Sequence, residues 1–300
     1  MASLQERRTI RREELFNRSG YYRFLLDSNA LLHREATDVA TEGLMPMLRE
    51  RAADKPVRVL DLACGGWPKA IAGVMAAFSS RKFEYTGIDI NPDQVKLASG
   101  LFEFPANVIG VQILEGNAWD LEAQGVSGGY DLIFSGMNLH HGNPEELLFL
   151  ARQLRGLLTP GGILFSHDVY RPDAQTYRRR PDANPDDPAE SFRLIDAARI
   201  ASAALPPLEV AEDQARDEPS WREDYLQRMG RTLIARGGDP DGTESTVAHM
   251  RQRDFPVSTR EMSRILSHAG FSTSVRRFDD SVEPMGPYVA CCTAHLGRDE

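Results

Sequence analysis

The run Val57-Arg58-Val59-Leu60-Asp61-Leu62-Ala63-Cys64-Gly65-Gly66-Trp67-Pro68 decides the fold. Its first six residues are mostly β-branched and apolar, the pattern of a buried strand. The strand stops at an acid followed by small residues. Gly65 and Gly66 permit a tight turn and let a ligand approach the backbone closely. Pro68 suits the first turn of a helix, where its missing N–H costs nothing. The Ala-rich segment Lys69 to Phe78 then reads as that helix. Strand, Gly turn and helix form the phosphate- or nucleoside-binding opening of a doubly wound sheet.

The next segments extend this pattern. Phe83 to Ile90 reads as a second strand with an acid, Asp89, at its tip. An acid there, roughly 20 residues beyond the Gly turn, is placed to accept hydrogen bonds from ribose hydroxyls. Asn91-Pro92-Asp93 caps a helix over about Gln94 to Phe102. Val108 to Glu115 is a third strand, followed by Gly116-Asn117-Ala118. Gly129 to Ser135 is a fourth, running into Gly136-Met137-Asn138-Leu139-His140-His141. An amphipathic helix over Glu145 to Leu158 leads to the turn Thr159-Pro160-Gly161-Gly162 and a fifth strand, Ile163 to Val169.

In this order the blocks resemble a class I S-adenosylmethionine-dependent methyltransferase. The likeness is good over about residues 57 to 170, moderate over the last 40 and poor elsewhere. Such enzymes carry an acid-x-Gly-x-Gly-x-Gly turn; here Ala63 and Trp67 replace its first and last glycines. The resemblance implies a seven-stranded, mostly parallel Rossmann-like sheet of order 3-2-1-4-5-7-6, closed by the strands Phe271 to Phe278 and Tyr288 to Leu296. It implies S-adenosylmethionine across Asp61, Ala63, Gly65 and Gly66. The ribose is expected on Asp89, the adenine near Ile90, Asn117 and Ala118, and the methionine near Ser135 and Gly136. Asn117 stands where the family usually has Asp. Its amide can still accept from, and donate to, adenine. Leu-Thr-Pro-Gly-Gly before a strand is a further landmark of the family. With Asn117 it argues against a nicotinamide dehydrogenase, the other reading of the Gly turn and Asp89.

Composition narrows the class. The 300 residues carry a net charge of −9, 41% hydrophobic and 26% charged residues. Such an acidic balance gives no general attraction for nucleic acid or anionic membrane. Three cysteines, two of them adjacent in an apolar run (Cys291 and Cys292), suggest neither a disulfide framework nor zinc, so a cytoplasmic setting is expected. No apolar run is long enough to span a membrane, and no metal is expected. The chain reads as a single domain, with oligomerisation left open. Residues 53–170 and 257–300 form the cofactor-binding core. Residues 1–52 form an N-terminal helical lid and residues 171–256 a helical insertion over the acceptor site. Within that insertion, helices are expected over Ala189–Ala204, Ser220–Arg236 and Thr243–Arg253.

The chemistry expected is in-line methyl transfer to a small organic molecule, on oxygen, nitrogen or carbon. Positioning supplies much of the acceleration, and a base is needed only where the acceptor must lose a proton. His140 and His141 are the base candidates, because histidine takes a proton near neutral pH. His167, with Asp168 beside it, closes the fifth strand. Tyr22 of the N-terminal helices, and Trp221, Tyr225 and His249 of the insertion, are the candidates for lining an acceptor pocket; each is also an ordinary helix-packing residue. Two other functions fit the same cofactor half. One is methylation of tRNA or protein, with Arg178-Arg179-Arg180 as the basic cluster. The other is a non-catalytic S-adenosylmethionine-binding subunit, which Trp67 in a glycine position would suit.

Overall fold

The computed structural model describes residues 19–52, 54–173, 220–254, 256–278, 282 and 285–297. Seven strands form one sheet in the order β3-β2-β1-β4-β5-β7-β6. They are β1 (Val57–Leu62), β2 (Phe83–Asp89), β3 (Val108–Glu115), β4 (Tyr130–Gly136), β5 (Leu158–Val169), β6 (Phe271–Arg277) and β7 (Val289–Leu296). β1 to β5 pair in parallel, and β7 inserts antiparallel between β5 and β6. The expected order and the expected final strand insertion are both observed.

The helices are α1 (Ser19–Asp27), α2 (His33–Glu50), α3 (Lys69–Ala77), α4 (Pro92–Gly100), α5 (Pro144–Leu157), α6 (Ser220–Ala235), α7 (Pro240–Arg253) and α8 (Thr259–His268). Their starts are written in side chains that satisfy the first backbone N–H groups. Asn91 accepts from Asp93 N and Gln94 N at α4. Asn143 with Glu146, and Ser258 with Glu261, form capping boxes at α5 and α8. Asp239 accepts from Gly242 N at α7, which therefore begins at Pro240, earlier than the expected Thr243. The helix expected over Ala189–Ala204 and the Arg178–Arg180 cluster lie outside the described residues.

Side chains alternate across the strands, so each central strand feeds two cores. On one face Leu60, Leu62, Ile133 and Leu164 pack beneath α5 and α8. On the other, Val57, Val59, Leu132, Phe134, Ile163 and Phe165 pack beneath α2 and α3. A third cluster joins Tyr21, Leu25 and Leu32 of the N-terminal segment to Tyr225, Leu226, Met229, Leu233 and Met250 of the insertion. The Tyr21 hydroxyl lies 3.0 Å from Thr243 Oγ1 across this cluster. The two segments expected to cover the sheet therefore pack on one another.

One expected turn is absorbed into a strand. Thr159-Pro160-Gly161-Gly162 lies inside β5, where the β4 partner advances from Tyr130 to Leu132 while β5 advances from Leu158 to Ile163. Gly161 takes a φ of 74°, which admits the extra residues. Asp131 holds the excursion in place. It is buried, accepts from Arg58 N at 3.0 Å and Thr159 Oγ1 at 2.9 Å, and pairs with Arg51 just after α2. Asp131→Ala should lower the free energy of unfolding by about 2–3 kcal/mol, the scale of charge-assisted hydrogen bonds lost from a buried carboxylate. Urea denaturation measures it, and a change below about 0.5 kcal/mol would show that this staple is dispensable.

Candidate active site

The Gly loop leaves β1 through Ala63, which adopts φ 53°, and Gly65, which adopts φ 61°. Ala63 thus keeps the left-handed bend of the glycine usual at its position, at a cost of about 1–2 kcal/mol for a residue with a Cβ. Gly66 supplies close approach, but to the protein itself. A Cβ there would sit 2.7 Å from Gln94 Oε1 and 2.8 Å from Leu97 on α4. Gly66 N donates to Gln94 Oε1 at 2.7 Å. Trp67 turns away from that contact. Its ring stands 6.2 Å from Phe102, and the Arg23 guanidinium of α1 lies 4.8 Å over it. The aromatic in the last glycine position thereby ties the N-terminal helix to the loop.

The two strand-tip acids differ in state. Asp61 is buried and accepts from the Tyr85 hydroxyl at 2.8 Å. Burial pushes its carboxyl up to about 8 against the pull of that bond, and the nearby Asp89 charge adds to the rise. Asp89 accepts from Gly65 N at 2.8 Å and from Asn91 N at 2.9 Å. It therefore joins the loop to the tip of β2. Ile90, just beyond it, is 47% exposed, an apolar face at the strand tip of the kind a flat base covers. Asn117 Oδ1 accepts from Trp119 N at 3.0 Å, so part of its accepting capacity shapes its own turn. Ala118 is buried. Ser135 is fully buried, and its Oγ has no partner among the described residues. Gly136 follows it as the last residue of β4. The loop amides are thus spent within the protein, on Asp89 and Gln94, and leave the Asp89 carboxylate and the exposed Ile90 as the polar and apolar features of the strand tip.

His140 is held between two buried carboxylates. Its Nδ1 is 2.5 Å from Asp168 Oδ1, and its Nε2 is 3.4 Å from Asp254 Oδ1. Asp168 also accepts from Asn138 N, Leu139 N and its own neighbour Val169 N. Asp254 accepts from the Tyr225 hydroxyl at 3.0 Å. Burial opposes a charge on His140, but Asp168 and then Asp254 override it and raise its pKa to about 10. Burial would likewise raise Asp254, yet the His140 charge holds it below the ordinary carboxylate value. The two carboxylates thus favour the charged form of His140, with Nδ1 against Asp168 and Nε2 facing Asp254. His141 is different. Its Nδ1 lies 3.3 Å from the Arg253 carbonyl, which can only accept. A neutral His141 then carries its lone pair on Nε2, the tautomer a base needs. His140, His141 and Asp254 bring three ligand-type atoms within 4.8 Å of one another. A cation there would have to displace the proton that His140 holds between the two carboxylates.

The acceptor-side candidates fare unevenly. Tyr225 is interior: fully buried, bonded to Asp254, its ring 5.6 Å from Tyr288. Trp221 packs 6.4 Å from Tyr288. Both belong to the cluster that holds the cover together. His249 comes within 5.9 Å of His141 and so does approach the base candidate. The Tyr22 side chain lies outside the described residues. His167 is fully buried and faces His33, 5.1 Å between ring centres. Sequence reasoning did not reach Asp254 or His33. Each is a lone polar residue at a helix end, with no spacing to mark it.

Two outcomes follow for this region. Ala63→Gly should raise stability by about 0.5–1 kcal/mol, the left-handed strain relieved less the added freedom of the unfolded chain. Thermal unfolding reads this, and a drop in Tm would contradict the strained bend. The His140 contribution has a definite pH window. Its pKa is raised from about 6.5 in the unfolded chain to about 10. The stability it adds is complete below about 6.5 and is lost as pH climbs toward 10. Wild-type stability should fall by a few kcal/mol across that window, and His140→Gln should remove most of the slope. Equal slopes in the two proteins would show that His140 is not the charged group.

Comparison with known proteins agrees with this architecture. A family model described as "Methyltransferase domain" matches residues 59–162. A curated relative, the non-reducing polyketide synthase ausA of Penicillium brasilianum, is 30% identical over 142 residues. That match takes in 46% of this chain and only 5% of the synthase. The solved plantazolicin methyltransferase BamL, in complex with a triazolic desmethylPZN analogue and SAH, superposes with a TM-score of 0.54 at 14% identity, over 95% of this chain and 93% of its own. The plantazolicin methyltransferase BpumL gives 0.52 at 11% identity, over 94% and 90%. At such identities these two structures share the fold. Residues 59–162 thus match a methyltransferase domain, and the chain shares the class I, Rossmann-like fold of the two solved methyltransferases.

Proposed function

We propose that the chain transfers the methyl group of S-adenosylmethionine to a small organic molecule. The observation that carries this reading is the closed helical cover. α1 and the start of α2 pack on α6 and α7 through the cluster that includes Tyr21, Tyr225 and Met250, with the Tyr21–Thr243 contact across it. The same cluster reaches Val169 at the end of β5, so the cover stands at the carboxyl edge of the sheet. Ligands of open α/β sheets bind at that edge. A cover of this kind suits a small molecule held out of water better than a folded RNA. The likeness to a stretch of a polyketide synthase supports a small carbon-skeleton acceptor.

In this reading the cofactor supplies an electrophilic methyl carbon on a sulfonium with a good leaving group. The protein's residues bind and orient. Asp89 accepts the ribose hydroxyls; Ile90, Asn117 and Ala118 receive the adenine; Ser135 and Gly136 lie beside the methionine. His141 takes the acceptor's proton where one must leave. His140, fixed as an imidazolium, positions the turn after β4 and anchors the insertion. The net charge of −9 gives the tRNA alternative no electrostatic support.

Calorimetry with S-adenosylhomocysteine tests the cofactor half. Asp89→Ala should weaken binding by about 1.5–3 kcal/mol, through loss of charge-assisted bonds to the ribose. Unchanged affinity in that variant removes the ribose assignment. Tight binding without turnover over a broad panel of small acceptors would replace the enzyme by a binding subunit.

A further inference from the structure

The register of the sheet points to a recognition element on the acceptor side. Leu62 of β1 pairs with Ser135 of β4, and Gly136 pairs with His167 of β5. One residue beyond the first pair, Ala63 falls level with Gly136. Ala63, Gly136 and His167 therefore form a row across three adjacent strand ends. Strand alternation puts His167 on the same face as Phe165, toward α2. The row runs from two of the smallest residues to an imidazole, with the Phe134 ring beside Gly136. His33, the first residue of α2, completes the site from above, its ring 5.1 Å from His167 and inclined at 72°. His33 as a whole is only half-buried, so the pair lies just under the surface.

His33 Nδ1 and the His167 ring nitrogens are buried with no close side-chain partner among the described residues; His167 has only the Leu31 backbone beside it, so at least one nitrogen on each ring is left to a ligand. Buried polar groups are nearly always satisfied, and leaving one unmade is costly. Burial lowers the basicity of His33, against a small opposing effect of Glu35. Burial also holds His167 well below its ordinary value, with His33 adding to the effect. Both rings are therefore neutral. A neutral imidazole offers one donor and one acceptor, and so does a hydroxyl group.

Resting on the methyltransferase reading, we propose that His33 and His167 form the specificity-determining pair that receives the hydroxyl group of a phenol- or enol-type acceptor beside Gly136. The pair orients that hydroxyl by hydrogen bonds and leaves its proton in place. Imidazoles of such low basicity do not deprotonate a phenol, so removal of the proton stays with His141.

The test uses the full chain saturated with S-adenosylhomocysteine, and two probes of equal shape. Phenol carries the hydroxyl; toluene has a methyl in its place. Binding is read from the ring 15N signals of His33 and His167 and from titration. Phenol should bind at least about tenfold more tightly than toluene, the worth of one good hydrogen bond, and should shift both rings' signals. The preference should collapse toward one in His33→Leu, a half-buried site that tolerates the change. It should survive in part in His167→Gln, which keeps one donor and one acceptor. Equal binding of the two probes, binding of neither, or a preference undiminished in His33→Leu overturns the proposal. If S-adenosylhomocysteine binds while the hydroxyl preference is absent, only this inference falls. If S-adenosylhomocysteine does not bind, the methyltransferase reading falls and takes the inference with it.

Discussion

A buried carboxylate must be paired, and the acceptor side of this protein is arranged around that requirement. Asp168 ends β5 inside the core, and Asp254 follows α7 inside the core. Either alone would be expensive to bury. His140 stands against both, so three chain segments distant in sequence meet at one ring: the turn after β4, the tip of β5 and the end of the insertion. Neighbouring groups spread the load. Tyr225 bonds to Asp254, and the Arg222 guanidinium caps the last carbonyls of α7, reaching Asp254 O at 2.5 Å and Arg251 O at 2.7 Å. Such an arrangement is a strong constraint on geometry and a weaker contributor to net stability. Replacing the whole set with apolar residues of similar volume need not cost free energy, whereas removing one member strands a charge.

The cofactor half was legible because its requirements are local. A strand that must turn sharply under a ligand needs small residues with particular φ angles, and those residues sit side by side from Ala63 to Gly66. Caps announce helices through one or two neighbouring side chains, and Asn91 did so within the sequence. Where a cap competed with a weaker apolar pattern, as at Asp239, the helix began earlier than the pattern suggested. The Thr159–Gly162 segment had turn chemistry and does leave the ladder, between the paired Leu158 and Ile163, with Asp131 holding Thr159.

The acceptor half was not legible, for a physical reason. A base, a carboxylate partner and a specificity residue need only meet in space. His140 and Asp254 are joined through folding, not spacing, and His33 reaches His167 from the far end of the chain. The adjacent pair His140-His141 drew attention as one unit, but the two rings have opposite situations. One stands between two buried acids; the other turns its Nδ1 to a backbone carbonyl. No reading of two neighbouring letters separates them, because what differs is which segment the fold brings against each ring.

The contact between Tyr21 and Thr243 spans 222 residues of chain. Closing so large a loop is entropically unfavourable until the intervening sheet has drawn its ends together. The cover is therefore a late product of folding, assembled on a finished sheet. Its own interior is one small apolar cluster, shared between segments from opposite ends of the sequence. Local opening should accordingly begin there, at a free-energy cost below that of global unfolding. The same seam that completes the fold last is then the one that parts first, so passage of small molecules to the sheet edge needs no disturbance of the strands that hold the cofactor.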